Sequence, residues 1–388
     1  MKRESVIDKN RLTPELNVMI DLLNGKDSSK AVNDHAFSWD SFLHHCFHHR
    51  LFPLVHTRLK EAAVEVPERI RQTLAAEYKR NAFNMLFLTS QMETISKAFS
   101  ERRLRALFLK GPVLAQDLYG STSERTSHDI DLLVELEDYE KVKETVLDLG
   151  YREKEFIRTI LGDWKWRHYH TIFIHPKTGV KVEIHWRLHP GPGKEPAFKE
   201  LWERRRTSTL TTHPVYMLSK EDLFYYLSTH GARHGWSRLR WLFDIRQLID
   251  KEMDWKLAGR IISANQAAST GGQALLLVSC LFNTHCPTDI HKLKTIRAVK
   301  QAKKAAFYME TMINIHDEPL AEKIADYHKQ YLFSLMSQRQ KLLFTLSFMY
   351  PYPEDADLFH LPKGLHFLYF PLRPFLWFWR KKRKQALT

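Results

Sequence analysis

From Thr13 to about Ser100, apolar residues recur at spacings of three and four, in LNVMIDLLNG, WDSFLHHCFHHRLFPLVHTRLKEA and IRQTLAAEYKRNAFNMLFLTSQMETISKAFSE. That period predicts helices. After Arg103 the texture changes. LRALFLKG reads as a strand running into a turn, PVLAQDLYG as a short helix with Pro112 in its first turn, and HDIDLLVE as a strand. YEKVKETVLDLGY follows as a helix closed by Gly150, and HTIFIH and VKVEIHWRL follow as two strands joined by the turn sequence PKTG. From Ser219 to about Met349 the helical period returns, in KEDLFYYLSTHGARHGWSRLRWLFDIRQLID and KTIRAVKQAKKAAFYMETMINIH.

These elements define an α+β fold. A small mixed-sheet core at 101–190 is embedded between a helical region at 1–100 and a second helical region at 191–350. The tail at 351–388 ends in LHFLYFPLRPFLWFWRKKRKQALT, which is aromatic and basic, and Pro371 and Pro374 are expected to interrupt it as a helix. There is no repeat at solenoid periods and no low-complexity tract.

Charge and cysteine content narrow the picture. Lysine and arginine number 59 against 45 acidic residues, a formal net charge of +14, which favours an anionic partner: a nucleotide, a phosphorylated substrate, nucleic acid or an anionic membrane. Cys46, Cys280 and Cys286 form neither a disulfide framework nor a zinc pattern and fit a reducing compartment. No apolar segment follows the N-terminal charges, and no apolar run approaches the roughly 20 residues of a membrane-spanning helix, so the expected location is the cytoplasm.

The candidate chemistry lies in two strands. In HDIDLLVE, Asp129 and Asp131 are two apart and share one face of a strand. In VKVEIHWRL, Val180, Val182, Ile184 and Trp186 form the apolar face, leaving Glu183 and His185 on the other. If the strands are neighbours, three carboxylates converge, and such a cluster calls for cations; Mg²⁺, or Mn²⁺ in its place, takes oxygen ligands while also holding phosphates. Two metals on such a cluster activate an attacking hydroxyl and neutralise a pyrophosphate leaving group. Gly111 lets the backbone approach a phosphate, the helix opened at Pro112 turns its positive end toward it, and Lys110 adds a point charge.

A glycine turn and helix, a strand D-x-D and a later strand carboxylate, in that order, resemble the nucleotidyltransferase superfamily with the DNA polymerase β-like palm. More narrowly, LKGPVLAQDLYG, R-x-x-x-DIDLLV and VEIHWRL, with HGARHGWSRLRWLFDI further on, resemble the uncharacterised bacterial nucleotidyltransferases (the NTP_transf_5 type), over about Trp39 to Ile249. The resemblance implies that Asp129 and Asp131 are paired metal ligands, Glu183 the third carboxylate, Gly111 the phosphate-loop glycine and Arg125 a nucleotide-binding arginine. Two departures stand out. Lys110 and Pro112 flank the glycine where the superfamily usually follows it with serine or glycine, and His128 stands where relatives often have glycine.

Outside the core, His230, His234 and Arg238 fall at one-turn intervals and would form a stripe toward an anionic substrate if the helix ran through Gly235; otherwise Trp241 and Leu242 pack inward and Asp244 pairs with an arginine. HHCFHH holds two i, i+4 histidine pairs and reads as a surface cluster. His185 acts either as a base toward the acceptor or in support of a metal ligand. The expected reaction is Mg²⁺-dependent transfer of a nucleoside monophosphate from a nucleoside triphosphate to a hydroxyl or phosphate of a small molecule, sugar phosphate or peptide. Sugar transfer from a sugar nucleotide, and a non-catalytic nucleotide-binding or membrane-associated protein, are the alternatives. No RNA-binding module is visible, so nucleic acid ranks low among the partners. Peripheral contact of the tail with an anionic membrane is a further expectation.

Overall fold

A computed structural model describes residues 6–385, except 63, 155 and 316–318. Its centre is a seven-stranded mixed sheet of β1 (Ala106–Phe108), β2 (Asp129–Val134), β3 (Arg152–Glu153), β4 (His170–Ile174), β5 (Lys181–His185), β6 (Arg206–Ser208) and β7 (Val215–Met217), in the order β3-β4-β5-β2-β1-β7-β6. β2 runs parallel to β5 and β1 parallel to β7; the other neighbours are antiparallel. The β6–β7 hairpin comes from beyond residue 190. Strands of three residues are too short to register as an alternating pattern, which is why the sequence does not announce them.

The helices that frame the sheet and carry the site are α1 (Pro14–Leu23), α2 (Trp39–His48), α3 (Glu68–Glu101), α4 (Pro112–Tyr119), α5 (Tyr139–Asp148), α6 (Lys220–Arg233), α7 (Leu239–Ile249), α8 (Gln338–Ser347) and α9 (Tyr369–Gln385). Strand alternation decides how they are used. Ile130, Leu132 and Val134 of β2 and Val182 and Ile184 of β5 form one core with Met85, Leu88, Met92 and Ile95 of α3 and Val142 and Val146 of α5. The opposite face turns its residues toward the helices that follow the sheet. There Leu107 and Leu133 join a second core in which Leu16, Met19, Phe42 and Cys46 pack with Trp236, Leu242 and Leu281. The helical regions before and after the sheet therefore share one apolar interior, and Asn24 Nδ2 donates across it to the carbonyl of Leu281 at 3.0 Å.

Three polar connections hold this second interior in register. The Arg125 guanidinium, just ahead of β2, grips Asp244 of α7 through Nε at 3.0 Å and a terminal nitrogen at 3.0 Å, and the Tyr119 hydroxyl donates to the same carboxylate at 2.7 Å. The Arg125 and Asp244 side chains are buried. Arg240 reaches back from α7 to the carbonyl and hydroxyl of Thr126, both at 2.7 Å. The histidine run is also part of it, contrary to the surface cluster expected. His45 and His49 are buried; His45 Nε2 bonds the Thr13 hydroxyl at 2.9 Å, His48 Nε2 meets the Ser237 carbonyl at 3.2 Å, and His49 Nδ1 accepts from the Leu239 amide at 3.3 Å.

The tail departs from expectation too. α9 continues through Pro374. Tyr369, Arg373 and Leu376 share its inward stripe, and the Arg373 guanidinium clasps the buried Asp355 at 2.7 and 2.9 Å. That anchor, with the Tyr369 hydroxyl bonded to the Phe359 carbonyl at 2.7 Å, holds the helix where proline removes one of its hydrogen bonds. Among the described residues no helix is long and apolar enough to cross a membrane, and Cys46, Cys280 and Cys286 are unbridged.

Two stability measurements follow. Asp244→Ala strands the Arg125 charge in the interior and is expected to cost about 3–5 kcal/mol in urea unfolding; an Arg125→Met/Asp244→Leu double variant recovers most of that loss. Burial also holds His48 down to about 4 and His189 down to about 3, and keeps His49 well below its ordinary value. As pH falls below about 6.5 the unfolded chain takes up these protons and the folded chain does not, so stability falls from pH 7 toward pH 4. The urea midpoint is expected to drop over that window, and to drop less in His189→Gln.

Candidate active site

The parallel pairing of β2 and β5 sets Asp131 opposite Glu183 and Asp129 opposite Lys181. Period-two alternation then puts Asp129, Asp131, Lys181, Glu183 and His185 on one face. Asp131 and His185 are buried at its inner end, whereas Asp129 and Lys181 stand nearer the mouth. β1 delivers the chain to Lys110 and Gly111, where φ of +81° is a conformation suited to glycine; a Cβ there would lie 3.6 Å from the Asp129 carbonyl. α4 starts at the next residue, so its N-terminal turn opens beside the first aspartate.

Around this face lies a polar cavity of ≈ 450 Å³, within the usual range for a ligand site. Its acidic floor is opposed by a basic wall that includes Arg50, Lys110, Arg238 and Arg240. His230 and His234 line it as well. They do not share one continuous helix with Arg238: α6 ends at Arg233, and Gly235 and Trp236 both take positive φ before α7 begins. The three side chains nevertheless meet at the same cavity, because the sharp turn folds α7 back on α6. A Cβ at Gly235 would sit 2.7 Å from the Tyr308 ring, so glycine is required there for space as well as conformation.

Charges are matched inside the site. Lys110 Nζ lies 3.3 Å from Asp131, and Lys181 Nζ bridges Asp129 at 3.0 Å and Glu183 at 2.7 Å. His185 Nε2 is 3.3 Å from Asp131 and 3.4 Å from Glu183. Burial pushes the Lys110 pKa down, but Asp131, Tyr226, Asp129 and Glu183 together outweigh it and the ammonium is held charged above its ordinary range. Burial likewise disfavours the Asp131 and Glu183 carboxylates, yet Lys110 with His185 for the one, and His185 with His170 and Lys181 for the other, bring both below the usual range. His185 is shifted upward by the same two carboxylates against its own burial. His170, stacked on His185 with ring centroids 4.9 Å apart, is held down to about 4 by burial and by that neighbour.

Donor atoms of Asp131, Glu183 and His185 all lie within 4.8 Å of one another, the one such group among the described residues. Both Asp131 oxygens and both His185 ring nitrogens are buried without a well-aligned hydrogen bond. Buried polar atoms left in that condition fit a cation-binding pocket.

The residues singled out from the sequence therefore gather here, with one in a different setting. Arg125 borders the cavity, but its guanidinium is engaged by Asp244. Lys181, Arg50, Arg240, His170 and Tyr226 line the cavity too and were missed. Lys181 was within reach, since it shares the period-two face of Glu183 and His185. Arg50 and Arg240 arrive through tertiary packing and have no local signal.

No curated protein and no solved structure matches the chain. A family profile described as uncharacterised nucleotidyltransferase, NTP_transf_5, matches residues 35–283 and so takes in α2 through α7 with the whole sheet. With well over half its length inside that match, the chain belongs to the uncharacterised nucleotidyltransferase family.

Proposed function

We propose that the chain transfers a nucleoside monophosphate from a nucleoside triphosphate to a hydroxyl or phosphate on a small acceptor, in a reaction that depends on a divalent metal. The observation that carries this reading is the Asp131–Glu183 pairing across parallel strands beside a polar cavity lined by Asp129, Glu183 and Lys110, the residue that leads into the Gly111 turn and α4. Asp129, Asp131 and Glu183 are the metal-holding carboxylates, and Mg²⁺ or Mn²⁺ bound to them would supply charge neutralisation at the transferring phosphorus. The triphosphate lies along Lys110, Gly111, Arg238 and Arg240, with His230 and His234 donating at its flank. Arg125 acts at one remove, fixing the start of β2 through Asp244. Placing the acceptor oxygen in line with the α-phosphorus then demands orientation and charge more than covalent help from the protein. The new O–P bond forms as the α–β phosphoanhydride breaks, and pyrophosphate carries away the bonding pair.

A second cavity of ≈ 470 Å³, mostly apolar, supports a small organic acceptor. It lies on the other flank of α6: Tyr225, Thr229 and Arg233 line it, whereas Tyr226, His230 and His234 line the polar one. Arg233 of the apolar cavity stacks 4.8 Å from the Tyr169 ring centroid of the polar cavity, so this pair partitions the two.

The outward face of α9 favours one further contact, a peripheral one with an anionic bilayer. Phe375 is 73% exposed and Trp379 56%, and Trp377 and Phe378 stand out beside them. Leu342, Leu343 and Leu346 of α8, with Phe348 and Met349, are exposed as well, and Tyr350 makes a ring contact with Phe370 of α9. In the sequence, five basic residues from Arg380 to Lys384 follow the aromatics. Aromatic anchors next to a cationic cluster match the headgroup boundary of an acidic membrane.

Purified chain incubated with each labelled nucleoside triphosphate, Mg²⁺ or Mn²⁺ and fractionated lysate is expected to release pyrophosphate and label one fraction. Asp131→Asn and Glu183→Gln are each expected to slow this on the order of a hundredfold or more. Metal-independent nucleotide binding with no product would favour a binding protein instead, and label arriving only from a sugar nucleotide would favour sugar transfer. For the tail, co-sedimentation with phosphatidylserine-containing vesicles is expected, weakening with salt and absent with pure phosphatidylcholine. Phe375→Ser/Trp379→Ser should abolish it while leaving transfer intact. Sedimentation unaffected by that double variant, or none at all, overturns the membrane contact.

A further inference from the structure

We infer that the metal centre is a mixed nitrogen and oxygen site, with His185 Nε2 as a direct ligand beside Asp131 and Glu183, and that it selects Mn²⁺ over Mg²⁺. This rests on the metal-dependent reading above, adds a nitrogen ligand to its carboxylates and narrows the ion. The geometry sets an imidazole inside the carboxylate cluster. Lys181 pairs with Asp129 at 3.0 Å and with Glu183 at 2.7 Å on the outer side, and the donors of Asp131, Glu183 and His185 fall within 4.8 Å of one another. His185 Nε2 points between the other two, 3.3 Å from Asp131 and 3.4 Å from Glu183, without the alignment of a hydrogen bond to either. The imidazole is 4% exposed and Asp131 1% exposed, so both donors sit away from bulk solvent.

Donor chemistry then decides the ion. Mg²⁺ takes near-octahedral oxygen coordination and sheds its own waters reluctantly. An imidazole in the first coordination sphere favours transition ions, which lie above Mg²⁺ in affinity for nitrogen donors, and Mn²⁺ among them keeps a taste for carboxylate and phosphate oxygen. Two carboxylates and one neutral imidazole also balance a divalent charge. Lys181 holds Asp129 and Glu183 together on the outer side. His170, whose ring lies parallel to that of His185, limits how far the imidazole can rotate away.

The test is electron spin echo modulation spectroscopy of the full chain loaded with Mn²⁺ alone. Modulation from a directly bound imidazole ¹⁴N is expected in the wild type, lost in His185→Gln and retained in His170→Gln. His185→Asp, which restores an all-oxygen set, is expected to shift the Mn²⁺-to-Mg²⁺ affinity ratio by about tenfold toward Mg²⁺ in competition titrations. Mn²⁺ bound without nitrogen modulation in the wild type overturns the ligand assignment and leaves the transfer reading standing, as does modulation lost only in His170→Gln. Equal wild-type affinity for the two ions overturns the selectivity. Folded wild type that binds neither ion overturns this inference together with the metal-dependent reaction.

Discussion

The buried pair between Arg125 and Asp244 is the constraint on which the rest of the molecule turns. It joins the residue four places ahead of the first site aspartate to the helix that carries Arg238 and Arg240 at its start. An unpaired charge in that position would be severely penalised, so the two halves hold a single alignment relative to one another. Arg240 to Thr126 and Tyr119 to Asp244 add to the same seam. The acidic floor contributed by the sheet and the basic wall contributed by the helices consequently face each other across a fixed gap.

Within that gap the charges are organised by depth. Innermost are Asp131 and His185, out of reach of solvent, with Lys110 beside them; nearer the mouth are Asp129 and Lys181. The carboxylates held this way remain deprotonated, and the cations around them keep the like-charged groups from driving each other apart. The price is a strand face full of polar atoms, whereas the reverse face of the same strands is aliphatic throughout, packed on α3 and α5.

How much of this was visible in the sequence depends on how local each feature is. β2 and β5 declare themselves through alternation, and Asp129, Asp131, Glu183 and His185 follow as same-face residues, because a period of two is a property of the backbone. Lys181 obeys the same rule and could have been read from it. The turn at Gly235 and Trp236 stayed open in the sequence, since glycine both ends helices and occurs within them; the positive φ at both residues, with Tyr308 close against Gly235, is what the tertiary structure adds. The histidines from His44 to His49 looked superficial because polar side chains usually are, but His45 and His49 are buried with bonding partners in Thr13 and Leu239, contacts that no local spacing records. The tail was misread for the opposite reason: proline at 374 weighs against a helix locally, and the Arg373–Asp355 clasp overrides it from outside.

The parallel alignment of β2 with β5 has one more consequence, which concerns time. Parallel neighbours cannot be joined by a tight turn, and the chain leaves β2 at Val134, forms α5, β3 and β4, and only then lays down β5 from Lys181. Asp131 and Glu183 are thus strangers until a long excursion has closed, and closure of that kind is among the slower events of folding. A nascent chain that has emerged only as far as α5 contains the D-x-D pair but no cage. Glu183 and His185 reach Asp131 only when β5 docks beside β2, so the site is assembled by the last strand of that excursion rather than by the segment that carries the aspartates.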